Sequence, residues 1–142
     1  MSVNALYTTT ARATGGRDGV SKTLDGSFEV KLSTPKELGG AGGDGNNPEQ
    51  LFAAGYAACF LGAVKLVASQ DSALKLSKDA NVTATVGIGP RSEGGFGLTI
   101  SLDIDLIDMD KQLAQNLIDE SHKVCPYSNA TRNNIDVKLT LV

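Results

Sequence analysis

From Leu51 to Val64 the chain carries no charged residue. Asn47-Pro48-Glu49-Gln50 just before it reads as a helix start, with Asn47 as N-cap, Pro48 at the first helical position and Gln50 placed to complete a capping box. A helix is therefore predicted from Pro48 to about Ser69, apolar on nearly all sides and so in need of cover on nearly all sides. The uncharged run stops at Lys65, short of the roughly 20 apolar residues that a bilayer crossing requires. The expectation is a helix at the centre of a soluble assembly, with no membrane. A chain of 142 residues can hardly wrap such a helix alone, so a second subunit is expected to supply the missing cover.

The segments around this helix alternate in the manner of strands. Asn4–Thr14, Val20–Leu24 and Ser27–Leu32 are separated by Gly15-Gly16-Arg17-Asp18-Gly19 and Asp25-Gly26, which predicts an antiparallel meander. Residues 33–47 are rich in glycine and read as one long mobile loop, too close to the N-terminus to divide two cores. Val82, Ala84, Val86 and Ile88 alternate with Thr83, Thr85 and Gly87. A hairpin loop, Gly89–Gly97, leads to Leu98, Ile100, Leu102, Ile104 and Leu106 on one face of a further strand. A second helix is predicted to begin near Asp108 or Asp110, to place Leu113, Leu117, Ser121 and Val124 along one face, and to stop before Pro126. Ile135, Val137, Leu139 and Leu141 form a closing strand. The class is α+β, mostly antiparallel sheet with two main helices, in a single domain over residues 1–142.

Composition narrows the function. With 41% hydrophobic and 20% charged residues the chain suits one globular core. A net charge of -3 with scattered Lys and Arg lacks the clustered basic face that phosphate backbones require, so nucleic acid is not an expected partner. Met1–Thr14 has no apolar core of a signal peptide, and a cytoplasmic location is expected. There, two cysteines rest as thiols, and a disulfide between them would be transient and catalytic.

Those thiols are Cys59, inside the apolar helix, and Cys125, immediately before a proline. A pair so placed can trade electrons, which makes the chain a candidate thiol peroxidase. On a 3.6-residue helix Cys59 shares its face with Phe52, Gly55, Gly62, Ala63 and Leu66, and the two glycines leave a depression beside the sulfur. A buried cysteine acting as a small hydrophobe accounts for the same local pattern. Cys59 lies about 18 Å along the helix from Asn47, beyond the reach of that helix's dipole, so a positive charge must come from elsewhere. Arg17, in a glycine-flanked turn, can be aimed inward, although a solvated turn arginine fits as well. Glu49 suits the first helical turn for dipole reasons alone. It sits about 15 Å from Cys59 along the helix, so joint action needs a bridging arginine or a Glu49 contributed by a partner subunit. Cys125 at a helix C-terminus would stay a thiol, as suits a resolving cysteine. If Pro126 opens a new helical turn, the sign of the dipole there reverses. His122 could join the two cysteines as metal ligands, but three groups without a fourth make a poor zinc site, and a lone surface-facing histidine is expected.

Two segments carry a resemblance. Asn47-Pro48-Glu49-Gln50-Leu51-Phe52-Ala53-Ala54-Gly55-Tyr56-Ala57-Ala58-Cys59-Phe60 and Val124-Cys125-Pro126-Tyr127-Ser128-Asn129-Ala130-Thr131-Arg132 resemble the signature segments of the organic hydroperoxide resistance (Ohr) proteins within the Ohr/OsmC family. The likeness extends over essentially the whole chain, including Arg17 and the Ile135-Asp136-Val137 strand. It implies an intertwined homodimer of antiparallel sheets wrapped around central helices, with two active sites at the interface, and a peroxidase acting on organic hydroperoxides. By position, Cys59 resembles the family's peroxidatic cysteine and Cys125 its resolving cysteine. Arg17 matches the arginine that stabilises the thiolate, and Glu49 the glutamate that positions it. No bound cofactor or metal is implied; the reductant is external, a dihydrolipoyl group such as dihydrolipoamide or a lipoylated protein. Phe52, Tyr56, Phe60 and Leu66 are expected to form an apolar wall favouring alkyl or fatty-acid hydroperoxides. A reading of another class is a non-enzymatic dimeric module that binds an apolar ligand, with its thiols incidental.

Overall fold

Gly15 and Gly16 take positive φ values of 77° and 59°, which folds the chain back between β1 (Ala11–Thr14) and β2 (Val20–Thr23). The structure, a computed structural model, describes residues 2–142 and separates into two compact units, Met1–Pro48 and Glu49–Val142.

The first unit is a three-stranded antiparallel sheet in the order β1-β2-β3, where β3 is Glu29–Lys31. The meander was expected, but its first strand is shorter than Asn4–Thr14. The β1–β2 ladder ends at Ala11↔Thr23. One more bond runs from Leu24 N–H to the Thr10 carbonyl before the Asp25-Gly26 turn carries β2 away, so residues 3–9 have no strand to pair with. In that turn the Asp25 carboxylate accepts bonds from the Thr23 hydroxyl and from the Ser27 N–H and hydroxyl. Together they hold its pKa down to about 2. The glycine-rich segment is tied down along its length, contrary to the expectation of a mobile loop. Ser33 N–H donates to the Asn46 carbonyl, Asn46 N–H to that of Lys31, and Gly42 N–H to that of Thr34. Gly45 N–H donates to the Ser33 hydroxyl.

Helix α1 (Pro48–Ser69) starts at the boundary, with Pro48 at its first position as the sequence predicts, and from Glu49 on belongs to the second unit. Its buried residues are Tyr56, Phe60, Ala63, Val64 and Ala68, a single stripe at helical spacing. They pack with Ile100, Leu102 and Ile104 of β5 (Phe96–Asp105) and Ala114, Leu117 and Ile118 of α2 (Lys111–Val124). The antiparallel pair of β4 (Asn81–Pro90) with β5 runs in register from Asn81↔Asp105 to Pro90↔Phe96. On the other side of β5 lies β6 (Val137–Leu141), parallel, from Ile100↔Val137 to Ile104↔Leu141. Helix α2 and a short α3 (Pro126–Thr131) form the crossover that parallel pairing requires.

Helix α2 is rotated from its expected face. Asp110 is its N-cap, accepting from the N–H groups of Gln112 and Leu113, and the buried residues are Ala114, Leu117, Ile118 and Ser121, while Leu113 and Val124 are about half exposed. By length and composition α1 is also long and apolar enough to cross a membrane, Lys65 notwithstanding, yet only 28% of its apolar window is buried. Ala54, Ala58 and Gly62, at four-residue spacing along it, are exposed.

Candidate active site

Cys125 belongs to two helices at once. Its N–H donates to the Ser121 carbonyl and ends α2, while its own carbonyl accepts from Asn129 and begins α3. Pro126 cannot extend α2 but suits the first position of a new helix, so the chain turns here and the second of the two dipole alternatives for Cys125 is realised. The turn lays α3 against α1. Cys125, fully buried, stands with its sulfur 3.9 Å from that of Cys59, although 66 residues separate them in the chain. Both are free thiols.

The two glycines flanking Cys59 differ. A Cβ on Gly55 would come within 3.0 Å of the Tyr127 hydroxyl and 3.3 Å of its ring, so that side of the expected depression is filled by Tyr127. A Cβ on Gly62 would meet nothing within 4 Å, and only this side is open. Burial pushes the Cys59 thiol above its ordinary pKa, the backbone N–H of Tyr127 pulls it down by hydrogen bonding, and the Cys125 thiol pushes it up again. Tyr127 is the second residue of α3. The N-terminus of α1 is too distant to act on Cys59, and the donor comes instead from the start of another helix.

Around the thiols lies a cluster of hydroxyls, of which only Tyr56 has an expected role, as part of the apolar wall. The Tyr56 hydroxyl sits 2.9 Å from the Ser128 hydroxyl and 3.3 Å from that of Thr131, all three side chains being buried. Phe52 and Tyr127 close around Tyr56, with ring centroids 6.1 and 5.6 Å from it. Of the expected apolar wall, Tyr56 and Phe60 are wholly buried in the core and do not line a surface, whereas Leu66 is exposed. His122 is not surface-facing: it is half-buried beside the Phe60 ring, with a buried Nδ1 that has no hydrogen-bond partner among the described residues. Burial first, then the nearby Arg132, lowers its pKa against an opposing pull from Asp119. Among the described residues no group of three His, Cys, Asp or Glu could hold a metal ion.

Arg17 lies in the first unit, in a 3-10 turn at Gly16–Asp18, and is half-buried. The next residue anchors that turn, because the Asp18 carboxylate accepts from the Thr34 N–H at 2.8 Å and its hydroxyl at 2.9 Å. These bonds, the backbone one foremost, lower the Asp18 pKa. Glu49 is in the first turn of α1, half-buried. The residues brought into contact are thus Cys59 and Cys125, joined by Tyr127, Tyr56, Ser128 and Thr131. The second motif contains Tyr127, Ser128 and Thr131, but only their packing against Gly55 and Tyr56 gives them a task.

Comparison with known proteins gives a consistent result. Residues 40–140 match the OsmC-like protein family. The organic hydroperoxide resistance protein of Xanthomonas axonopodis pv. citri is 60% identical over 136 residues, covering 96% of this chain and 94% of that protein. The crystal structure of the organic hydroperoxide resistance protein OhrB of Bacillus subtilis superposes with a TM-score of 0.87 at 42% identity, covering 97% of this chain and all of the other. An organic hydroperoxide resistance protein of Elizabethkingia anophelis, solved with thiocyanate bound, gives a TM-score of 0.91 at 50% identity, with 98% of each chain covered.

Proposed function

The chain belongs to the Ohr/OsmC family, and from that membership we propose that it is a thiol-dependent peroxidase that reduces organic hydroperoxides to alcohols, acting as a single 1–142 domain in a cytoplasmic homodimer. The observation that carries the reading is the 3.9 Å separation of two free thiols, about 2 Å more than a disulfide bond. An apolar-ligand module has no use for such a pair.

In this reading the Cys59 thiolate attacks one oxygen of the hydroperoxide. The O–O bond breaks, the alkoxide takes a proton and leaves as the alcohol, and Cys59 is left as a sulfenic acid. The Cys125 thiol then displaces hydroxide from that sulfur, forming the Cys59–Cys125 disulfide and water. An external dithiol, dihydrolipoamide or a lipoylated protein, reduces the disulfide by exchange and is itself oxidised to the cyclic disulfide. Arg17 supplies positive charge to the thiolate and then to the peroxide oxygens, with Glu49 orienting it. The Tyr127 N–H contributes a further donor to the thiolate. Apolar surface at the site favours alkyl or fatty-acid hydroperoxides over hydrogen peroxide.

The dimer is supported by α1, whose exposed Ala54, Ala58 and Gly62 form a face of small residues on which another helix can approach closely. The test of function is turnover of cumene or tert-butyl hydroperoxide with dihydrolipoamide. The expected result is catalytic loss of peroxide with one alcohol formed per dithiol oxidised. Binding without turnover would favour the non-enzymatic module.

A further inference from the structure

We propose that Tyr56, Ser128 and Thr131 form a hydroxyl brace that sets how fast Cys125 captures oxidised Cys59, so that the three act as positioning residues for the resolving step and not for the attack on peroxide. The inference rests on the reading that Cys59 attacks and Cys125 resolves.

Helix α3 has six residues, too few to hold its own position in water. Its N-cap, Cys125, makes no side-chain capping bond, where Ser, Thr, Asp or Asn would tie down the first turn. The sulfur is thereby left unencumbered, and α3 must be fixed by other means. Its fixed point is the Tyr56 hydroxyl, bonded to Ser128 at 2.9 Å and Thr131 at 3.3 Å.

The direction of these bonds follows from counting protons. The Thr131 hydroxyl donates to the carbonyls of Tyr127 and Ser128, at 3.1 and 3.2 Å, and carbonyls only accept. Toward Tyr56, then, Thr131 can only accept, so the Tyr56 proton goes to Thr131 and the Ser128 proton goes to the Tyr56 oxygen. The chain Ser128→Tyr56→Thr131→carbonyl uses every hydroxyl proton once. It is fully satisfied in a place where an unpaired hydroxyl would be costly. Packing alone does not require a hydroxyl here, since Phe60 fills the same stripe without one.

The brace also stands beside the thiols. Tyr56 precedes Cys59 by three residues on α1, and Ser128 follows Cys125 by three, each about one helical turn away. The hydroxyl pair and the sulfur pair therefore span the same two elements side by side. Capture of the sulfenic acid must close the sulfurs from 3.9 Å to about 2.05 Å, and its rate depends on how narrowly that approach is held. A loosened α3 leaves the Cys59 sulfenic acid waiting, open to a second peroxide that takes it to the sulfinic acid.

The test is a single-turnover experiment on reduced protein with one equivalent, and then excess, of cumene hydroperoxide. Sulfenic acid is trapped with a dimedone-type reagent, and disulfide and sulfinic acid are read by mass spectrometry. In Tyr56→Phe and in Ser128→Ala the attack should stay within about twofold of the parent, capture should slow by about tenfold, the loss from one misplaced contact in an oriented reaction, and sulfinic acid should accumulate. The double variant should be no slower than the worse single one, because both remove the same coupling, and Ser128→Thr, which keeps a hydroxyl, should recover most of the rate. Ile118→Val, a core truncation outside the brace, should lower the melting temperature without moving the ratio of disulfide to sulfinic acid. The two Ser128 variants read the brace from its other end, so the result does not depend on Tyr56→Phe folding. Capture at the parental rate in the variants, or attack and capture slowed together, would overturn the brace while leaving the thiol chemistry standing. A parent protein that forms no Cys59–Cys125 disulfide would overturn both.

Discussion

At Cys59 burial and hydrogen bonding oppose one another. Burial is the larger influence and holds the group as a thiol. Because a thiol is an acid and its pKa is raised, the reactive thiolate is scarce at neutral pH and grows as pH climbs through and beyond the ordinary thiol range. The activating charge has to come from a cation, the role proposed for Arg17. Arg17→Ala should therefore slow peroxide reduction at neutral pH by about 10²-fold, and alkaline pH should recover only the part due to ionisation. Arg17→Lys should restore charge without the planar fork and rescue incompletely. Alkylation of Cys59 and single-turnover peroxide rates against pH check this, and superimposable profiles for parent and variants would remove Arg17 from the mechanism. Cys59→Ser should abolish peroxide reduction, whereas Cys125→Ser should permit one attack and stall with Cys59 as sulfenic acid or beyond. Mass spectrometry after one equivalent of peroxide distinguishes these products from the internal disulfide of the parent. The two cysteines and the prolines that bound their helices were legible in the sequence because capping and helix breaking are local rules. The Tyr127 N–H on Cys59 was not, since it depends on which way α3 folds back.

At the scale of elements, the turn that carries Arg17 is closed by Gly19. A Cβ there would overlap the Thr14 carbonyl and carbon and the Gly15 backbone, main-chain atoms that cannot swing aside. Gly19→Ala should accordingly destabilise the first unit by about 2–4 kcal/mol, in the range of severe backbone conflicts, seen as a lower urea midpoint. Gly89→Ala, meeting nothing within 4 Å, is its control. Alternation predicted β4 and β5 well because β5 buries one face against the core and period two survives in its residues. The parallel sense of β6 was not legible: Val137–Leu141 alternates identically in either direction, and only the α2–α3 crossover decides. The rotation of α2 escaped for a related reason. Leu113 and Val124 are apolar and at helical spacing, but the Asp110 cap and the contact of Cys125 with α1 turn the Ala114–Leu117–Ile118–Ser121 face inward.

For the whole molecule, α1 is more apolar than one chain covers, and the proposed dimer is the remedy. Sedimentation at micromolar concentration should report about twice the 14.7 kDa chain mass. Ala58→Arg, which places a charge on the exposed small-residue face, should shift the protein toward the single-chain mass and lower peroxidase activity with it; a charged variant that stays dimeric would move the interface elsewhere. The incomplete cover of α1 was legible from Leu51–Val64 alone, because no charge interrupts that run. Cys125, whose main chain is engaged by Ser121 on one side and Asn129 on the other, leaves only its side chain free to turn. In the proposed cycle, redox change is then rotation of a side chain within a stationary frame, and backbone amide order parameters across 111–131 should be the same in the thiol and disulfide forms. What oxidation does change is the unfolded chain, in which a link across 66 residues removes conformational freedom worth about 4 kcal/mol. A protein oxidised in this way would withstand more urea at equilibrium without being any stiffer at work, so its urea midpoint would record its redox history.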